Sequence, residues 1–235
     1  MTLDELVTQL RSAYGTRLAS VVLYGSAAAG EHTKTSDYNI LLLLHTIDAS
    51  ALAAASAVAR GWRDAGNPPP MTMTVEEWRH SADVFPMEYA DILERHKVLY
   101  GTPPFDGVQV ATDHLRLQLE QQVMGKLLQL RQAALLAGTD AKRQAELIAA
   151  SLSTMMVLFR AVLRLHGERP GDDNAALAQR VGAIVGFDAT PFMQAVQHVR
   201  GTKKLASAEP STVLAGYLTG IERLDAYLDT FVAPR

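Results

Sequence analysis

Hydrophobic and polar positions follow two different patterns along the chain, with a change near residue 105. In the first part, segments of helical periodicity alternate with short apolar runs of strand length that end at polar, Gly or Pro residues. The pattern predicts helices over 3–14, 49–65 and 76–84, strands over 19–24, 38–44 and 71–75, and a further element over 89–100. Such alternation is typical of a small domain that contains both helices and a sheet.

The second part has helical periodicity throughout. Apolar residues recur at spacings of three or four, and Gly or Pro interrupts the pattern near 138, 167–171, 186–191 and 201–210. These breaks predict about five helices, and Ser211, which follows a proline, is predicted to cap the last one. The sequence therefore predicts an α+β protein with a small mixed β-sheet domain over 1–105 and an all-α helical bundle over 106–235.

Composition is that of a soluble globular protein and excludes several other classes. The chain has 235 residues, 48% of them hydrophobic and 20% charged, and no cysteine, so it has neither disulfides nor thiolate metal sites. A formal net charge of −3 argues against a broad basic face, and we do not expect nucleic acid as a partner. The N-terminus lacks the plan of a signal peptide, and no apolar run approaches membrane-spanning length. We therefore expect a cytoplasmic protein without membrane association.

The segment between the first two predicted strands carries the most specific chemical signal. An apolar strand ends at Gly25-Ser26, a small-residue turn continues to Gly30, and Asp37 and Asn39 open the next apolar strand. Glycine lets a backbone approach a phosphate closely, and Ser26 with neighbouring amides can donate hydrogen bonds to it. Because side chains alternate along a strand, Asp37 and Asn39 are predicted to share one face. This arrangement suits an anion that is held together with a metal ion.

Two other phosphate-binding loops do not fit the same segment. A Walker A loop would continue after Gly30 with Lys and then Ser or Thr, where this chain has Glu31 and His32. A dinucleotide-binding loop would need a second glycine where Ser26 and Ala27 stand. The remaining alternative is a strand, a tight turn and a strand in which the glycines serve backbone geometry alone.

The order of Gly25-Ser26, Asp37 and Asn39 between two apolar strands resembles the metal-binding signature of polymerase-β-type nucleotidyltransferases. The whole plan is similar to the aminoglycoside-modifying kind, with a small mixed β-sheet nucleotidyltransferase domain followed by an all-α helical bundle. The resemblance implies transfer of a nucleoside monophosphate from an NTP to a small hydroxylated acceptor, with Mg²⁺ as cofactor. It also implies that Gly25 and Ser26 bind phosphate and that Asp37 and Asn39 are catalytic metal ligands.

Two features depart from that family pattern. Asn39 stands where the family has its second metal-binding Asp, and a neutral amide balances no metal charge. The third acid of the family belongs on a later strand, and the predicted strand 71–75 contains none. We therefore expect weakened or lost catalysis, because a bound metal supplies several kcal/mol of transition-state stabilisation. The acids close enough in sequence to substitute are Glu76, Glu77, Glu88 and Asp91.

The first predicted helix of the bundle carries further candidates. If this helix borders the cleft, Glu120 could act as a general base toward the acceptor hydroxyl. Lys126 or Arg131 could then neutralise the charge of the triphosphate. The alternative is that all three are charged residues on a solvated helix face.

Three functions from different classes are consistent with these residues. The first is a nucleotidyltransferase with reduced activity, and the second is a catalytically inactive sensor that binds a nucleotide. The third is a regulatory module that binds a protein partner, or a second copy in a homodimer, through the helical bundle. Pyrophosphate release would distinguish the first function, and stabilisation by NTP without turnover would distinguish the second.

Overall fold

The structure is a computed structural model, and it describes residues 1–25, 27–28, 37–205 and 209–232. The chain divides into two compact units between Ala111 and Thr112. Over the described residues, the first unit contains a sheet with helices and the second contains helices alone. The predicted α+β class, a small mixed sheet followed by a helical bundle, is confirmed.

Helices and strands alternate along the first unit. In chain order its described elements are α1 (Leu3–Tyr14), β1 (Leu18–Tyr24), β2 (Asn39–Leu44), α2 (Ala49–Ala54), α3 (Ser56–Asp64), β3 (Met71–Thr74), α4 (Val75–His80), α5 (Pro86–Glu94) and β4 (His96–Gly101). The predicted helix 49–65 is two helices that meet at Ala55. The predicted element 89–100 is the end of α5 followed by β4, so its sequence changes from helix to strand at Arg95.

Several helices of the chain begin at a side chain that caps the first turn. Thr2 and Thr74 each form a capping box, in which the hydroxyl accepts a backbone N–H and a Glu three residues later accepts the N–H of the cap. Asp48, Asp140 and Asp173 accept hydrogen bonds from first-turn amides in the same way. These local signals explain why the helix starts follow the sequence closely.

The four strands form one sheet in the order β3-β2-β1-β4. β1 is antiparallel to both of its neighbours, and β2 is parallel to β3. At the carboxyl end of β1, Tyr24 pairs with Asn39 on one side and with His96 on the other. The end of β1 and the starts of β2 and β4 therefore meet at the same edge of the sheet.

The two faces of the sheet are covered by different helices. On one face, alternate residues such as Leu23 and Leu42 pack against α1, α2 and α3 around the buried Trp62. On the other face, Val22, Leu41 and Leu43 pack against α4 and α5. Asn39 precedes Leu41 by two residues, so strand alternation places it on the face that α5 covers.

The second unit is a bundle of helices. Its described elements are α6 (Thr112–Ala137), α7 (Ala141–Leu165), α8 (Asn174–Val185), α9 (Thr190–Val199) and α10 (Glu209–Thr230). An aromatic core joins α7, α9 and α10, with ring centroids 5.0 Å apart for Phe159 and Phe192 and 4.3 Å apart for Phe192 and Tyr217. The predicted cap at Ser211 is wrong, because α10 already includes Glu209 and the Ser211 hydroxyl donates to Gln144 Oε1 at 2.9 Å.

One helix of the described chain, α7, is long and apolar enough to cross a membrane by length and composition alone. Its most apolar window has a mean hydropathy of 1.7, so the expectation that no segment reaches membrane-spanning length was wrong. However, 56% of that window is buried inside the protein, as is usual for the central helix of a bundle.

Gly220 and Gly125 form a matched pair of helix glycines for a stability test. A Cβ at Gly220 would lie 2.5 Å from Cε2 of Phe192, whereas a Cβ at Gly125 would meet nothing within 4 Å. We expect Gly125→Ala to raise the free energy of unfolding by about 1 kcal/mol through helix propensity. Gly220→Ala should lower it, because overpacking costs about 1–3 kcal/mol. Urea unfolding followed by circular dichroism measures both changes, and equal stabilisation by both substitutions would contradict the expected clash.

Candidate functional site

Gly25 ends β1 in a conformation that favours glycine. Its φ of +75° lies in the left-handed region, its N–H donates to the Arg95 carbonyl at 3.0 Å, and its carbonyl accepts from the Ala28 N–H at 3.1 Å. A Cβ at this position would lie 3.5 Å from Asn39 Nδ2 and 3.8 Å from Asp91 Oδ2. The predicted phosphate-binding glycine is therefore close to both an amide and a carboxylate. The predicted Ser26 lies outside the described residues.

The predicted metal ligands lie at the start of β2. Asn39 is the first residue of the strand, and Asp37 precedes the strand with an exposed side chain. Tyr38 between them packs on the opposite face, with its ring centroid 6.0 Å from that of Trp62, and its N–H donates to Asn67 Oδ1 at 3.1 Å. The β2 backbone therefore directs Asn39 toward α5 and leaves Asp37 at the open edge of the sheet.

Two of the four substitute acids lie away from this edge. Thr74 at the end of β3 pairs with Leu44 of β2, five residues or roughly 16 Å from Asn39. Glu77 follows β3 and accepts the Thr74 N–H at 2.7 Å, while Glu76 pairs with His80 at 3.0 Å. Glu76 and Glu77 therefore serve the first turn of α4, at the far end of the sheet.

The other two acids are on α5, which aromatic packing fixes against the sheet. Tyr89 stacks on Trp78 with ring centroids 4.1 Å apart, and its hydroxyl donates to the Trp78 carbonyl at 2.8 Å. The hydrogen bond from the Gly25 N–H to the Arg95 carbonyl holds the C-terminal end of α5 beside the end of β1. Burial raises the pKa of Tyr24, and the negative charges of Asp91 and Glu88 raise it further. The carboxylates of Asp91 and Glu88 therefore both lie close enough to Tyr24, the residue immediately before Gly25, to raise its pKa.

Asp91 also faces a cation. Its Oδ1 lies 3.5 Å from Nη2 of Arg95, and the two side chains are 30% and 13% exposed. The residues are four apart on α5, a spacing that brings side chains together on a helix, and this was the sequence signal that could have singled out the pair. The structure thus adds Asp91 and Arg95 to the predicted site, as a carboxylate whose charge is opposed by a nearly buried guanidinium.

Asp37 and Asn39 are the two predicted metal ligands at this edge, and their oxygen atoms are of the kind that Mg²⁺ binds. A carboxylate from Asp37 and an amide oxygen from Asn39 are donors that Mg²⁺ accepts when nucleotide phosphates complete its shell. A second ion would need further carboxylate charge, and Arg95 opposes that of Asp91. Among the residues that the structure describes, no group of three or more His, Asp or Glu side chains is placed to hold a metal.

The candidates in the helical unit do not all lie on one side of α6. Glu120 pairs with Arg116 at 2.7 Å, and Arg131 pairs with Glu222 of α10 at 2.8 Å. Eleven residues are close to three turns, so Glu120 and Arg131 share a side of the helix. Lys126 is six residues from Glu120 and lies on a different side, because six residues turn the helix by about 240°. Lys126 and Arg131, which were predicted as alternatives for binding the triphosphate, therefore lie on different sides of α6.

Glu120 lies in an acidic groove between α6 and α10. The groove also contains Asp225 and Asp229, with Leu117 and Met124 as its apolar wall. Burial raises the pKa of Asp225, the charges of Glu120 and Asp229 raise it further, and Arg131 lowers it. The carboxylates of this groove are therefore close enough to repel one another.

The pKa of Tyr24 offers a test of where Asp91 lies. We expect Asp91→Asn to lower this pKa, because one of the two negative charges beside Tyr24 is removed while its burial remains. Asp4→Asn removes the same charge from an exposed position on α1 and should leave the value unchanged. NMR titration of ¹³C-labelled tyrosine, with the Tyr24 signal assigned through Tyr24→Phe, measures both. An unchanged value in Asp91→Asn would place Asp91 away from Tyr24.

No protein-family model matches the chain, and no curated protein matches it significantly. Among solved structures, the chain is similar to spectinomycin adenyltransferase AAD(9) from Enterococcus faecialis, solved with ATP and spectinomycin. The TM-score is 0.59 at 10% identity, over 97% of this chain and 100% of that chain. A toxin-antitoxin structure with AMP-PNP matches at a TM-score of 0.30 and 19% identity, over 57% of this chain and 96% of that chain, which is too distant to indicate a common fold. The first of these likenesses shows that the chain has the same fold as this adenyltransferase.

Proposed function

We propose that this protein binds a nucleoside triphosphate at the turn after β1 and slowly transfers its nucleoside monophosphate to a small hydroxylated acceptor. The observation that carries the proposal is the meeting of Asn39 and Asp91 beside Gly25 at one edge of the sheet. The Asp37 motif belongs to the same edge, and the fold is that of an adenyltransferase solved with ATP. Fold likeness alone would not indicate an activity, so the residues at this edge support the proposal independently.

Gly25 would allow a phosphate to approach the backbone closely, and its own N–H would not donate a hydrogen bond to that phosphate. Its N–H already donates to the Arg95 carbonyl, so this amide is not available to a phosphate. A side chain at position 25 would fill the space within 4 Å of Asn39 and Asp91, which is the space that a phosphate needs. The donors to phosphate would then come from the turn that follows, beginning with Ser26.

Asp37 and Asn39 would hold one Mg²⁺ ion together with the triphosphate. When bound, the ion neutralises phosphate charge and polarises the attacking hydroxyl. Asp37 supplies the only full negative charge of the two side chains, so the nucleotide itself must supply much of the coordination shell. Metal and nucleotide are therefore expected to bind together.

The charge of Arg95 accounts for the slow rate in this proposal. Arg95 lies 3.5 Å from Asp91 and opposes the charge that a third metal-binding carboxylate would contribute. Asn39 leaves a second carboxylate missing from the same edge. Because each 1.4 kcal/mol of lost transition-state stabilisation is about tenfold in rate, the two departures together predict a rate lower by orders of magnitude.

A nucleotide sensor without transfer is the second candidate, and the Asp91–Arg95 pair favours it. Arg95, which is only 13% exposed, offsets the charge of Asp91, so this carboxylate repels a triphosphate less even without a metal. Such a site would bind a triphosphate and leave its phosphoanhydride bonds intact. The two candidates differ in turnover, not in the location of the nucleotide.

Pyrophosphate release tests the first candidate against the second. We expect slow release from an NTP with Mg²⁺ or Mn²⁺ and a panel of hydroxylated acceptors, and we expect Asp37→Asn to abolish it. Asp4→Asn, at an exposed position on α1, is the control and should retain the activity. Thermal stabilisation by NTP with no release would favour the sensor. If an NTP causes neither thermal stabilisation nor pyrophosphate release, both nucleotide functions are excluded.

The substitution Asn39→Asp tests the metal site directly by calorimetry of a non-hydrolysable ATP analogue. With Mg²⁺, the added carboxylate should tighten binding by about tenfold, equivalent to about 1.4 kcal/mol. With EDTA, the same substitution should weaken binding, because a further negative charge near Asp91 then faces the phosphates unopposed. Asn39→Ala adds no charge and should show neither response. An equal effect of Asn39→Asp with and without Mg²⁺ would exclude position 39 from a metal site.

A further inference from the structure

Helix α6 is apolar on two sides, and the bundle covers only one of them. Leu119, Val123 and Leu127 are buried against the other helices of the unit. Four large apolar side chains on another side are exposed, namely Leu117 (61%), Met124 (41%), Leu128 (50%) and Leu135 (83%). A soluble helix usually exposes a polar face, so a second apolar side indicates an interaction surface.

The exposed apolar residues follow the spacing of a coiled-coil seam. Together with Gln121 and Arg131 they are separated by four, three, four, three and four residues, and we call these six positions the outer seam. Alternate spacings of four and three keep a row of side chains facing one partner helix. The outer seam spans eighteen residues, or about 27 Å of helix, and the surface therefore suits another helix rather than a small ligand.

The outer seam is nearly symmetric about its midpoint. If a second α6 lies against it in the opposite direction, Leu117 faces Leu135 and Met124 faces Leu128. Gln121 then faces Arg131 of the other copy, and because the two-fold axis repeats this pair, the interface has two such polar layers. Each layer thus joins residues of matching character, and this is the arrangement that a two-fold axis requires, because each copy presents the same surface to the other.

The distribution of charge along α6 also favours antiparallel pairing of two copies. The Leu117–Met124 half of the outer seam lines the acidic groove that contains Glu120, Asp225 and Asp229. The other half carries Arg131, whose exposed guanidinium already pairs with Glu222 and has further N–H groups to donate. Antiparallel pairing brings the Arg131 of a second copy to the acidic groove, whereas parallel pairing would bring the carboxylates of both copies together.

We propose that the outer seam of α6 is the interface of a homodimer in which two copies of this chain pair antiparallel about a two-fold axis. The four apolar side chains of each copy leave water in this arrangement. Each acidic groove receives a cation from the other copy, which relieves the repulsion among its carboxylates.

Sedimentation equilibrium of the full chain tests this interface with a matched pair of substitutions. Leu128 on the outer seam and Val157 on α7 are 50% and 51% exposed, so replacing either with Glu has a similar cost in the monomer. We expect the wild-type chain and Val157→Glu to dimerise, and Leu128→Glu to raise the dimer dissociation constant by about a hundredfold. Circular dichroism checks that both variants are folded.

Three outcomes of that experiment would overturn the proposal. The first is a wild-type chain that remains monomeric at hundreds of micromolar, which would leave the surface to a different protein. The second is a Leu128→Glu variant that dimerises like the wild type. The third is equal weakening by Leu128→Glu and Val157→Glu, which would indicate that no specific seam is involved.

Disulfide cross-linking tests the direction of pairing, because the chain has no cysteine of its own. In the antiparallel dimer, Leu117→Cys and Leu135→Cys face each other across the interface, while two copies of either variant alone hold their thiols about 27 Å apart. We therefore expect oxidation to cross-link a mixture of the two variants and neither variant by itself. Cross-linking of each variant with itself would contradict the antiparallel arrangement.

Discussion

The antiparallel pairing of β1 with both β2 and β4 is the constraint on which the candidate site depends. Tyr24 pairs with Asn39 on one side and with His96 on the other, so three separate segments of the chain end at one edge of the sheet. The hydrogen bond from Gly25 N–H to the Arg95 carbonyl continues this pairing beyond the strand. As a result the glycine turn, the start of β2 and the C-terminal end of α5 are held together by backbone contacts.

Within that backbone frame, the chemistry is decided by a few side chains and their charges. Replacing a carboxylate with the amide of Asn39 removes a negative charge, and placing Arg95 against Asp91 opposes another. Both differences lower the negative charge at this edge of the sheet relative to an arrangement of three carboxylates. The proposed function depends on this balance of charge, because the fold by itself does not specify an activity.

In the helical unit, two sides of helix α6 have different surroundings. The buried side of α6 packs into the bundle, and its exposed side carries an apolar row beside the acidic groove. An apolar row at heptad spacing is typical of a helix that packs against another helix.

Much of the architecture was predictable from local signals. The strand and helix periods and the breaks near Gly138 and Gly186 predict nearly all the described elements, because each depends on a few neighbouring residues. The predicted cap at Ser211 was wrong for a tertiary reason, since its hydroxyl bonds to Gln144 of another helix. The Gly25-Ser26 and Asp37 pattern likewise predicted a nucleotidyltransferase fold, because it depends on residues close together in sequence.

Only the tertiary structure decided which residues from distant parts of the sequence lie close to the Gly25 and Asp37 motif. From sequence, Glu76, Glu77, Glu88 and Asp91 were equivalent substitutes for a missing acid, because nothing local distinguishes them. Strand register places the first two at the far end of β2, and the hydrogen bond from Gly25 N–H to the Arg95 carbonyl holds the end of α5 at the end of β1. The sequence alone thus determined the elements and the motif, while the location of charge around Gly25 required the packing of a helix that lies more than sixty residues further along the chain.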